Sequence, residues 1–252
     1  MSVWGKIIGG AAGYVLGGPI GALLGALAGH IADRVRDAGA RERDEDPTAS
    51  ITFTIGVIVL SAKMARVDGT VSPDETSVFR SLFRVPEGER PNVDRLFRLA
   101  QQDAAGFEPY ARQLADLLRG RPGVLEELLD CLFMIALADG HVQDSELDFL
   151  RRTAEIFGFS AADFRRIREG HLGPDSSDPH TILGVDPEAS DREIRDAWRR
   201  LIKTHHPDRL VAEGAPHEFV NVATAKLAAI NVAYDRIMAE RSGRGGVARQ
   251  AE

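Results

Sequence analysis

The stretch "SDREIRDAWRRLIKTHHPDRL", Ser190 to Leu210, decides how the C-terminal part of the chain folds. Ser190 followed by Glu193 is a capping box, in which each side chain satisfies a backbone N–H at a helix start. At about 100° per residue, Ile194, Ala197, Trp198 and Leu201 fall on one face. Arg192, Arg195, Arg199 and Lys203 share the opposite face. The spacing therefore predicts a helix to about Thr204, with a core wall on one side and a basic stripe on the other. Pro207 lacks a backbone donor and crowds the preceding turn, so it ends that helix. A loop is expected from there to about Gly214. A second long helix then carries Phe219, Leu227, Ile230, Ala233, Tyr234 and Ile237, suited to pack antiparallel against the first. The product is a helical hairpin with His206-Pro207-Asp208 exposed at its tip.

Three chemistries compete for that tip. A nucleophile or general base needs a positioned partner and a pocket that excludes water, and a short loop between two helices supplies neither. Zinc needs a closed set of ligands. His205 and His206 diverge unless the helix breaks between them, and no cysteine stands nearby. A purely structural tip would use Pro207 as a stop and Asp208 as a backbone acceptor. Recognition is the remaining reading, and here "ILGV", "IRDAWRRLIKTHHPDR" and "AINVAYDRI" together resemble a J domain, the module of the DnaJ family, over roughly residues 178–239. The resemblance implies an activity: binding the ATPase domain of a DnaK-type chaperone and stimulating ATP hydrolysis there. It implies that His206, Pro207 and Asp208 make the triggering contacts. Arg195, Arg199, Arg200 and Lys203 would dock on an acidic groove, a salt-sensitive, rate-raising kind of contact. Two positions depart from the pattern: Trp198 replaces the usual tyrosine, and Asp196 stands where a basic residue is common. No CxxCxGxG repeat and no long Gly/Phe-rich segment accompany the motif. A J protein without them is suited to recruiting a chaperone to a place rather than to holding unfolded clients.

The N-terminus names the place. From Ile7 to Ala32 there is no Asp, Glu, Lys or Arg. A helix of that length reaches roughly 39 Å, more than the ~30 Å hydrocarbon core of a bilayer. Glycines recur every fourth residue at Gly5, Gly9, Gly13, Gly17, Gly21, Gly25 and Gly29, one smooth ridge along which a second helix can pack. Dimerisation is expected through Gly9, Gly13, Gly17, Gly21 and Gly25. Lys6 precedes the span, whereas Arg34, Arg36, Arg41 and Arg43 follow it, so the positive-inside rule turns the bulk of the chain to the cytoplasm. A signal peptide cut after Ala26-Leu27-Ala28 is the rival reading.

Between Ile51 and about Gly170 the pattern is helical, with Gly and Pro breaks. "AKMARVDGTVSPDE" and "FMIALADGHVQDSE" form an internal repeat, with identical pairs at Asp68 and Asp139, Gly69 and Gly140, and Glu75 and Glu146. Each copy reads as a helix, a tight Asp-Gly turn and a second helix. The second half of an EF-hand loop is matched, but Met64, Arg66, Ile135 and Leu137 occupy positions where calcium requires oxygen ligands. Asp68, Glu75, Asp139 and Glu146 are thus expected to support turns and caps. An acidic or metal site there is the alternative. The paired "DGxVxxxE" segments resemble the TerB-like helical domain, which implies a helical bundle used here as an interaction module. With the N-terminal span, the whole chain resembles the membrane-anchored DjlA-like group of the DnaJ family.

Composition agrees. The 252 residues carry 44% hydrophobic and 27% charged side chains, enough to fold, and a net charge of −7 argues against nucleic acid as a partner. The single cysteine, Cys131, lies in the apolar run "LLDCLFMIAL", as a small buried hydrophobe would. The expected architecture is all-α. A transmembrane helix occupies residues 1–33, a charged linker 34–50, a TerB-like domain 51–170, a linker 171–177, a J domain 178–241 and a tail 242–252. No catalysis, cofactor or metal is expected of this chain, and its expected partners are a DnaK-type chaperone, the lipid bilayer at a bacterial inner membrane, and a second copy. The alternative is a membrane-anchored stress or metal sensor working through the repeat, with the J domain as a passenger. Replacing Gly17 and Gly21 with leucine is expected to weaken self-association in bilayers, and an unchanged dimer fraction on crosslinking would contradict the glycine ridge.

Overall fold

The computed structural model describes residues 47–67, 93–94, 97–98, 100–101, 106–172 and 176–249. The expected membrane span with its glycines at 9, 13, 17, 21 and 25, residues 34–46 of the linker, and the first repeat from Asp68 through Glu75 lie outside them; residues 47–50, expected as linker, are already helical. Every regular element described is helical: α1 (Pro47–Val67), α2 (Glu108–Leu117), α3 (Pro122–Ala136), α4 (Asp144–Ile156), α5 (Ala161–Gly170), α6 (Pro179–Leu183), α7 (Asp191–Thr204), α8 (Pro207–Ala212) and α9 (Val220–Arg249), with a 3₁₀ turn at His217–Phe219. None of the described helices is long and apolar enough to cross a membrane.

The first body is built around α1, whose residues from Thr52 to Ala65 are all buried, the polar Thr52, Thr54, Ser61 and Lys63 along with the apolar ones. Phe53, Ile58, Leu60 and Met64 are inaccessible to solvent. Gly56 allows α2 to come close, since a Cβ there would lie 2.8 Å from a methyl of Leu114. Helices α2, α3 and α4 pack against α1. Helix α3 opens on Pro122, whose missing N–H would be unpaired in a first turn anyway, and Cys131 is fully buried on it.

Between α3 and α4 lies the second copy of the repeat. Gly140 turns the chain at φ 86°, where a side chain would be strained. The Asp139 carboxylate accepts from the His141 N–H at 3.0 Å. Glu146 accepts from the Gln143 N–H at 2.9 Å within a capping box. Turn and cap, as read from the sequence, are the roles these two carboxylates have.

The second body has its own core of Ile182, Leu183, Ile194, Leu201, Ile230, Ala233 and Ile237. Helix α7 starts at the Ser190–Glu193 capping box and spans Asp191–Thr204, as its spacing predicts. Arg241 reaches Asp191 at 2.9 Å, while Trp198 stacks on Tyr234 and donates to Asn231 at 2.9 Å. High numbers on α9 thus meet low numbers on α7, so the two helices are antiparallel.

Two expectations need correction. Pro207 ends α7 but also begins α8, a short helix in place of the expected loop, because its fixed φ suits a first helical position. Phe219 packs not against α7 but edge-on against Phe53 of α1, ring centroids 4.8 Å apart. Leu210, Ala215, Val222 and Ala223 join it in the core of the first body. Gly214 makes this possible. At φ 106° it reverses the chain after α8, and a Cβ there would fall 2.2 Å from that of Ala49. Phe219→Ala is expected to cost about 3–5 kcal/mol in chemical denaturation and to raise amide exchange along α1. A residue belonging only to the α7–α9 core would leave α1 unaffected.

Candidate functional site

The tip is a helix N-terminus built from three residues in order. His206 is the N-cap of α8, with extended backbone, and its Nδ1 accepts from the Asp208 N–H at 3.2 Å. Pro207 is the first helical residue, and Asp208 follows in the first turn, where a negative charge complements the exposed N–H groups. Nδ1 is the acceptor, so a neutral ring carries its proton on Nε2. The Asp208 side chain is 92% exposed and that of His206 50%.

Arg195, Arg199, Arg200 and Lys203, the basic residues singled out in the sequence, are all exposed on α7. Asp196 lies among them, 3.8 Å from Arg192 and 3.9 Å from Arg199, which tempers the positive face. Trp198, Arg199, Ile202, Lys203, His206, Asp208 and Arg209 line one open depression. Helix face and tip therefore form a continuous surface, apolar at its floor and charged at its rim. Among the described residues this depression is open to solvent rather than enclosed.

His205 has the opposite fate. It closes α7 with 1% of its side chain exposed, and Nε2 lies 3.4 Å from Oε1 of Glu126 on α3. Glu126 belongs to a buried charged cluster joining the two bodies. Arg166 of α5 grips it with two parallel bonds of 2.7 Å. Lys226 of α9 donates to Glu126 and, at 2.6 Å, to Asp130 one helical turn further along α3. His171 completes Asp130 at 2.8 Å and stacks on Phe133.

Burial opposes the charge on Glu126, but the Lys226 ammonium and the Arg166 guanidinium outweigh it and hold the carboxyl far below its usual range. Asp130 is lowered against the same burial by Lys226 and the His171 bond. Burial also opposes the charge on Lys226, and the two carboxylates more than offset it, so its pKa rises. His205 is pushed down to about 4 by burial and by Lys226, against the pull of Glu126 and Asp130. It is a neutral imidazole beside a carboxylate, not an ion pair. Within and beside this cluster, neither Nδ1 of the buried His205 nor either oxygen of the buried Glu127 has a hydrogen-bond partner among the described residues. Burial, and after it the charge of Asp130, raises the Glu127 pKa well above 4.5, which favours the neutral carboxyl.

Asp139 and Glu146, the described half of the proposed acidic site, are engaged in a turn and a cap. Among the described residues no group of three or more His, Cys, Asp or Glu is arranged to hold a metal.

Comparison with known proteins matches three family models in succession. Residues 1–44 match the co-chaperone DjlA transmembrane domain, 54–169 the tellurite resistance protein TerB, and 178–239 the DnaJ domain. The chain is a DjlA-like J-domain protein with a TerB-like central domain. It is 26% identical to the co-chaperone protein DjlA of Photobacterium profundum, over 95% of this chain and 99% of that one. Against the DjlA of Coxiella burnetii the identity is 28%, over 94% and 98%. Against that of Escherichia coli K12 it is 27%, over 96% and 99%. No solved structure matches.

The tip of this DjlA-like chain was legible in the sequence, whereas the cluster behind it was not. Glu126, Glu127 and Asp130 stand in the otherwise apolar "VLEELLDCLFMIA" of α3. Three acids in such a run are a signal that a buried partner must exist. Nothing local names that partner, since Arg166 and Lys226 come from distant helices.

Opposite pH limbs follow. The stability that neutral His205 contributes is complete above its ordinary 6.5 and declines as pH falls toward about 4. Glu127 must take up a proton on folding, so stability declines as pH rises above 4.5 toward its folded pKa. Glu127→Gln is therefore expected to be more stable relative to the wild type at pH 8 than at pH 5. The gap should widen by up to about 1.4 kcal/mol per pH unit, read from urea unfolding across that range.

Proposed function

We propose that the chain is a membrane-tethered co-chaperone that recruits a DnaK-type chaperone and stimulates its ATPase through His206-Pro207-Asp208. The observation that carries this reading is the exposed, N-capped tip, which shares one open depression with Arg199 and Lys203 of α7, where Arg195 and Arg200 are also exposed. The match to the DnaJ domain over residues 178–239 supports it, as does the co-chaperone name borne by relatives aligned over nearly the whole chain. ATP hydrolysis belongs to the partner, and this chain supplies the trigger.

The N-terminal match to the DjlA transmembrane domain supports anchoring in a membrane. We place a single span within residues 1–33 of a bacterial inner membrane, with the J domain at 178–241 and the TerB-like domain at 51–170 facing the cytoplasm. The arginines after the span favour this orientation. Pairing of two spans along the glycine ridge would put two tips at one spot, and tethering raises the local concentration of the recruited chaperone.

Single-turnover ATP hydrolysis by a DnaK-type chaperone, with the full chain in vesicles, tests the proposal. Wild type is expected to stimulate hydrolysis, His206→Gln to lose the stimulation, and raised salt to reduce it through the basic face. A folded wild-type chain that gives no stimulation would sink the co-chaperone reading.

A further inference from the structure

The residue preceding the tip and the helix following it are both anchored on the TerB-like domain. His205 is buried against Glu126, and Lys226 spans Glu126 and Asp130. A third contact lies between them: Gly123, in the first turn of α3, faces the end of α7 so closely that a Cβ would sit 3.1 Å from the Thr204 carbonyl and from a methyl of Leu210. Arg121 of the same region donates to the Glu213 carbonyl at 3.0 Å, just past α8. Residues 204, 205, 210 and 213 bracket the tip on both sides, and all four meet a segment of the TerB-like domain only six residues long. His206 and Asp208, between them, point away into solvent.

We propose that the TerB-like domain is a positioning platform for the His-Pro-Asp tip, with Glu126 and Gly123 fixing the end of α7 and Lys226 locking α9 to the same helix. The two domains then present the tip as one rigid body at a fixed angle. The surface this assigns is the face formed by the start of α3 and by Arg166 on α5, and its partner is the J domain of the same chain. The chemistry suits such a role. A bridge between a lysine and two buried carboxylates has a narrow set of acceptable geometries, whereas an apolar contact of equal area tolerates sliding. The docked arrangement leaves α7's basic face open, so it presents the tip rather than hiding it. The inference rests on the co-chaperone reading only for what the tip is presented to.

Hydrogen exchange on the full chain in vesicles tests it, with Lys226→Met, Lys226→Arg, Gly123→Phe and His206→Gln beside the wild type. Lys226→Met removes the bridge, and Gly123→Phe wedges the contact from the TerB side without altering any charge or any J-domain residue. Both are expected to lower protection of residues 203–213 and 123–130 together, by roughly tenfold or more, while α4 and the start of α7 keep theirs. Both should also lower stimulation of the chaperone ATPase several-fold. Lys226→Arg, which can still reach two carboxylates, should keep protection and stimulation. Unchanged protection at 203–213 in both disrupting variants would overturn the proposal, as would a loss spread evenly over the chain or a loosened tip that stimulates as well as the wild type. His206→Gln removes the cap on the Asp208 N–H, so it should lose stimulation with exchange unchanged outside the first turn of α8. A wild type that never stimulates would overturn the co-chaperone reading alone, since the exchange pattern stands without a chaperone present.

Discussion

Lys226 and the two carboxylates it bridges hold the constraint on which the rest of the arrangement depends. Taking a carboxylate out of water is costly unless opposite charge and hydrogen bonds replace the solvent. Helix α3 carries three acids into the interior. Lys226, Arg166 and His171 favour the charged forms of Glu126 and Asp130 there, whereas burial shifts Glu127 toward its neutral form. Those partners come from α5, from the turn after it and from α9. Satisfying α3 therefore dictates where α9 crosses, and α9 in turn carries the antiparallel face that holds α7.

The two neighbouring histidines show how a single backbone change divides two roles. His205 ends α7 and turns inward, and His206, one residue later in extended conformation, caps the next helix and turns outward. Proline at 207 enforces the break, because it can begin a helix but cannot continue one. Chemically identical side chains thus serve as a buried neutral anchor and an exposed recognition group.

The parts legible in the sequence were those set by local rules. Ser190 and Glu193, the alternating faces of α7, the Asp139-Gly140 turn and the Glu146 cap are all decided within a few residues, and each is found where spacing placed it. Sequence and structure part where a local pattern is completed by distant chain. Phe219 fits the periodicity of α9, yet periodicity cannot say which neighbour a buried ring will meet, and here it is Phe53. The segment after Pro207 is helical rather than a loop because proline, which stops one helix, has the φ that suits the first position of the next. The buried charged cluster was invisible for the same reason as Phe219, since its members are separated by most of the length of two domains.

The Phe53–Phe219 contact has a consequence for biosynthesis. The first body's core lacks its last rings and methyls until the segment around Phe219 has been made. At a translation rate of about 5–20 residues per second, α1 leaves the ribosome on the order of ten seconds before that segment. During that interval the nascent bundle carries an open apolar notch and acids without their lysine. The chain thus has its own period of vulnerability during synthesis, closed only when its C-terminal module arrives.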